Sequence, residues 1–243
     1  FLPMGPPFVP RDQSAHLPKI RELIRQGRYR EATELQFELS GQSGFLYPEY
    51  FVPACDLVVR TPAVGAVRDY LRSVNFETGE ATVRWSDDRG VVERRLFVSR
   101  ADAVVVFELR GSGRGMLECE LALEPREPSD YFNADRDISR RSDDVFREHV
   151  CDVRAQADTS SLMLFYRFSK AYPGSLQALD CVARVIVTGG TSAARPNGVL
   201  AVKEADHVLV LLALSPNRET ATPRDRDMLN VLARLPADYA TLL

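Results

Sequence analysis

Apolar positions along this chain recur first at the spacing of a helix and then at the spacing of a strand. Pro18 suits a first helical turn, Ile20, Leu23 and Ile24 fall on one face, and Gly27 ends the run. Ala32, Leu35, Phe37 and Leu39 repeat the helical pattern from about Tyr29, with Gly41 as the stop. The spacing predicts a helical hairpin over residues 17–40. Its lead-in carries Pro3, Pro6, Pro7 and Pro10, which remove backbone donors and favour extended chain.

Beyond an aromatic loop at 45–54 the period falls to two. Strands are expected at 56–60, 68–76, 81–85, 91–98 and 103–109, with turns at Glu77-Thr78-Gly79 and Asp87-Asp88-Arg89-Gly90. The run from Ala103 to Leu109 is almost wholly apolar, which suits a central strand. Leu117, Cys119, Leu121 and Leu123 alternate with glutamates, as in a strand with one wet face. Short turns with no intervening helix predict an antiparallel meander rather than a parallel βαβ fold. The polar segment 125–144 reads as an irregular excursion, and strands resume at 149–155, 162–168, 176–187 and 208–214. Helical spacing returns over 225–235, and 236–243 begins a further helix.

Composition narrows the function classes. An apolar share of 45% with 27% charged residues over 243 positions is that of a packed soluble domain with a sizeable core. The net charge of −3 gives no general attraction to nucleic acid or an anionic membrane. No apolar run approaches the ~20 residues of a spanning helix. Cys55, Cys119, Cys151 and Cys181 are widely spaced without a C-x-x-C pair and read as buried free thiols. The compartment stays open. The chain starts at Phe1 without a secretory signal pattern, as a piece of a longer polypeptide would.

Four motifs occur in an order that resembles the N-terminal domain of glycoside hydrolase family 95, the α-L-fucosidase type. They are LPKIRELI at Leu17–Ile24, GRYREA at Gly27–Ala32, DYLRSVNFETGEATV at Asp69–Val83 and RLFVSRADAVVV at Arg95–Val106. Weaker agreement follows in ARVIVTGGT at Ala183–Thr191, ADHVLVLLA at Ala205–Ala213 and DYATL at Asp238–Leu242. The resemblance implies a mainly β fold, a two-sheet antiparallel supersandwich with a short helical hairpin near the N-terminus and a C-terminal helical tail. On this reading residues 1–222 are the sandwich domain including the hairpin 17–40, and 223–243 start a linker toward a catalytic (α/α)6 barrel. The family's acid and base belong to that barrel, so no catalytic residue is carried over here. The expected partner is the barrel of the same polypeptide, with a glycan as a further ligand, and no cofactor, metal, nucleic acid or membrane is expected.

Several side chains invite chemistry of their own. Tyr47, Tyr50 and Phe51, with Tyr131 and Phe132, are loop aromatics able to stack on sugar rings or pack at a domain interface. Glu148 and His149 are the nearest acid–base pair for a mutarotase-like epimerase, yet strand neighbours point to opposite faces. Asp130, Asp135, Asp137, Asp143 and Asp144 lack the EF-hand calcium spacing. Trp85 reads as core, and Arg94-Arg95 and Arg140-Arg141 read as surface charge. A standalone carbohydrate-binding module and the epimerase stand as alternatives to the non-catalytic glycosidase domain.

Overall fold

The alternating runs pair into two antiparallel sheets in the computed structural model, which describes residues 2–3, 12–40, 51–126, 150–169 and 174–243. The strands are β1 (Leu2–Pro3), β2 (Phe51–Val52), β3 (Asp56–Arg60), β4 (Arg68–Val74), β5 (Ala81–Asp87), β6 (Gly90–Ser99) and β7 (Val104–Gly111). They continue as β8 (Leu117–Glu124), β9 (Val150–Asp158), β10 (Ser161–Phe168), β11 (Ala178–Thr188), β12 (Thr191–Arg195), β13 (Val199–Ala205) and β14 (His207–Asn217). The helices are α1 (Leu17–Arg25), α2 (Tyr29–Ser40), α3 (Asp225–Ala233) and α4 (Tyr239–Leu242).

Two compact units divide the chain, Pro3–Phe51 and Phe1–Leu2 with Val52–Leu243. In the first, α1 and α2 pack as the predicted hairpin. Pro18 stands in the first turn of α1, and Gly27 takes a left-handed φ of 75° between the helices, which other residues adopt at a cost. Ala32 is buried, and Arg30–Glu34 at 2.9 Å links successive turns of α2.

The second unit is the sandwich. Its large sheet has the order β4-β5-β6-β7-β14-β11-β10-β9 and its small sheet the order β12-β13-β8-β3. β7 is central, as its apolar run predicts, and β14 beside it buries Val208 to Leu212 almost completely. β8 turns Leu117, Cys119, Leu121 and Leu123 inward, and β8 and β13 pack on β10 and β11. The opposite face of the large sheet carries a second apolar layer. There Phe97, Val106, Val182, Leu209 and Leu211 pack with Leu232 of α3 and with Tyr239 and Leu242 of α4. Among the described residues no helix is long and apolar enough to cross a membrane.

The topology departs from the sequence reading in two ways. The meander is confined to β4–β7, because β3 and β8 leave it to pair with each other in the small sheet. The hydrophobic pattern marks each strand but carries no information about which sheet receives it. The second departure is that 191–205 forms two strands where only turns were read. Thr191–Arg195 is mostly exposed and rich in alanine and serine, so it lacks the β-branched signal of a strand. Its sharp entry depends on Gly190, with φ of 61° and a position where a Cβ would lie 2.1 Å from the Lys203 carbonyl oxygen.

Candidate functional site

The helix-bearing face of the large sheet gathers charged side chains around one carboxylate. Register sets Arg95 of β6 directly opposite Glu108 of β7, and sets Arg110 opposite His207 of β14. Glu108, only 1% exposed, accepts from Arg95 Nε at 2.8 Å and from Arg110 Nε at 2.9 Å, and its Oε1 lies 2.7 Å from His207 Nε2. Burial alone would raise the Glu108 carboxyl, but the bonds to His207, Arg95 and Arg110 outweigh it and hold the group below the usual carboxylate range.

Arg95 continues the network outward. Its guanidinium lies 4.2 Å from the centroid of the Tyr239 ring, and the Tyr239 hydroxyl donates to Glu80 Oε2 at 2.8 Å. Burial, followed by the bond to Glu80, pushes the Tyr239 hydroxyl above its ordinary range, so it stays a protonated donor. Phe97 meets the same ring edge-on at 5.1 Å and 87°. The constellation therefore fastens α4 to the sheet. A carboxylate bound by two arginines is an ionised acceptor, which is the opposite state from a proton-donating acid.

A second feature lies on the outer face of the small sheet, a trough of about 480 Å³. Arg60, Glu118, Glu120, Arg195 and Lys203 line it around a floor that includes Ala201. Arg195 pairs with Glu120 at 2.9 Å and Arg60 with Glu124 at 2.7 Å. Exposed pairs of this kind add little stability. The arginines of the trough are thus paired with neighbouring glutamates. Among the described residues no group of three or more histidine, cysteine or acidic side chains is placed to hold a metal ion.

The structure sorts the residues singled out from sequence. Tyr47, Tyr50, Tyr131, Phe132, Glu148, His149, the aspartates from 130 to 144 and the Arg140-Arg141 pair lie outside the described residues; Phe51 contributes backbone to β2. His16 ends an exposed 3-10 turn. Trp85 is buried with the Arg94 guanidinium 5.0 Å from its ring centroid. Arg94 and Arg95 are not the surface charges their doublet suggested. Arg94 donates to Thr61 Oγ1 at 2.6 Å, and Arg95 serves Glu108. Glu108, Arg95, His207 and Tyr239 were not recognised together, because 99 residues separate the Glu108–His207 contact and 159 the Glu80–Tyr239 bond. The one local signal was a lone glutamate inside the apolar run 104–109, since a buried charge demands partners.

Residues 5–220 match the family model described as "Glycosyl hydrolase family 65, N-terminal domain". That is family 65 where the motif series resembled family 95, and what the two have in common is the N-terminal domain of a glycoside hydrolase. No curated protein matches the chain. Among solved structures, one assigned as a kojibiose phosphorylase from human microbiome aligns at a TM-score of 0.48 and 9% identity, over 79% of this chain. The chain corresponds to 27% of the length of that protein.

Proposed function

Because the chain belongs to the family of glycosyl hydrolase family 65 N-terminal domains, we propose that it is the non-catalytic β-sandwich of a carbohydrate-cleaving enzyme, packed on a catalytic barrel of the same polypeptide. The family match over residues 5–220 carries this reading, since it spans both sheets. Within this reading, the ordered motifs between Leu17 and Val106 favour an α-L-fucosidase of the family 95 type.

Turnover of chromogenic aryl glycosides, the α-L-fucoside foremost, separates these statements. The 243-residue chain alone is expected to give none, and the polypeptide extended through the coding region after Leu243 is expected to cleave the fucoside. Turnover by the chain alone would overturn the non-catalytic reading. Cleavage of a different glycoside by the extended protein would keep the domain role and remove the fucosidase assignment.

A further inference from the structure

Two cysteines distant in sequence meet where the sheets join. Cys55 immediately precedes β3 of the small sheet, and Cys181 lies on β11 of the large sheet. Val182 packs under the helices, so strand alternation turns Cys181 to the sandwich interior, where it is fully buried. Its Sγ lies 3.6 Å from the carbonyl oxygen of Ala54, which sets it against the residue next to Cys55 and leaves its one proton to reach either that oxygen or the Cys55 sulfur. Tyr166, also fully buried, has its hydroxyl in the field of both sulfurs.

We propose that Cys55 and Cys181 are an oxidant-sensitive thiol pair that closes reversibly into a disulfide bridging the two sheets, with a peroxide as oxidant. The two sites are unequal in a way the reaction needs. Cys55 is only partly buried, whereas Cys181 is enclosed. The bond from Cys181 favours the Cys55 thiolate and holds that thiol below its usual range, although burial and Asp56 oppose the effect. Cys181 is raised in return, by that bond first and then by burial. Cys119 is the internal contrast, since burial pushes it up to about 12 and leaves it a poor nucleophile.

The steps balance without another reagent. The Cys55 thiolate attacks one peroxide oxygen, an S–O bond forms, the O–O bond breaks, and the departing hydroxide takes a proton to become water. Cys181 then attacks the Cys55 sulfenic sulfur. The S–S bond forms, the S–O bond breaks, and the hydroxide that leaves carries off the Cys181 proton as water. Two thiols lose two electrons and two protons while one peroxide becomes two waters.

Intact mass and peptide mapping of the reduced 243-residue chain treated with hydrogen peroxide test this. The expected result is loss of two hydrogens and of two of the four thiols, with a cross-link joining the peptides that hold Cys55 and Cys181. Thermal unfolding should rise by about 5 °C or more and fall back on reduction. Cys181→Ser should stop the reaction at a sulfenic acid on Cys55 that a cyclic dione probe labels. Retention of all four thiols, or a cross-link that involves Cys119 or Cys151, would overturn the proposal. The map of the unmutated chain decides this even where a variant fails to fold.

Discussion

Asp180 and Arg184 stand four residues apart on one face of β11 and hold opposite ends of α3. Asp180 Oδ2 accepts the Arg224 amide at 2.9 Å ahead of the helix, while Arg184 Nη1 donates to the Leu232 carbonyl at 3.0 Å at its end. A carboxylate at the start and a guanidinium at the finish both complement the helix dipole and satisfy end groups that lack intrahelical partners. The clamp makes α3 an addition to the large sheet rather than a free tail. Arg184→Ala is expected to cost about 1–2 kcal/mol. Amide exchange should speed up over 225–235 while β7 and β14 stay protected.

Tyr239 separates packing from hydrogen bonding. Tyr239→Phe removes only the bond to Glu80 and should cost about 1 kcal/mol. Tyr239→Ala also empties the space beside Phe97 and under Arg95, at about 4 kcal/mol. Equal losses in denaturant titrations of the two variants would contradict this account of the anchor.

Glu108→Gln keeps the shape of the side chain and removes its charge, which takes its carboxylate from Arg110 and leaves Arg95 only the longer contacts to Glu93 at 3.7 Å and Glu80 at 4.0 Å. Loss of the charge-assisted bonds from these partly exposed arginines is expected to destabilise by about 1–3 kcal/mol. If the variant matches the parent in thermal unfolding at neutral pH, the carboxylate is not the centre of the network.

Asp87 sets an acid limit. Its carboxylate accepts from Arg89 through side chain and backbone and from the Val64 amide, and the Arg89 bond above all lowers it from 3.8 to about 2. A folded value below the unfolded one contributes stability that is fully present above the unfolded pKa and is lost as pH falls through the folded one. Thermal unfolding should therefore decline between about pH 4 and 2 by more in the parent than in Asp87→Asn. The same pH slope in both proteins would rule this out.

Gly190 tests the turn that admits the small sheet's outer strands. Gly190→Val forces a side chain against the Lys203 carbonyl in a left-handed conformation and should cost about 3 kcal/mol or more. Gly79→Ala, with φ of 73° and open space for a Cβ, isolates the backbone part at about 1 kcal/mol. Unfolding midpoints that fall together for the two variants would show that close approach at Gly190 has no role.

What the sequence by itself determined was local. The helical hairpin, the strands β3 to β11 and β14, and the helices α3 and α4 all follow from spacings of 3.6 or 2 and from glycine turns, and these act within a few residues. The motifs between Leu17 and Val106 pointed correctly to the N-terminal domain of a glycoside hydrolase. Only the tertiary structure decided that β3 and β8 pair away from the meander, that β12 and β13 are strands, and that Arg95 is a half-buried partner of the buried Glu108 rather than a free surface charge. The physical reason is the range of the interactions. Hydrophobic period sets which face of an element is apolar, whereas the pairing of a lone buried glutamate with an arginine 13 residues before it and a histidine 99 residues after it depends on which strands lie side by side.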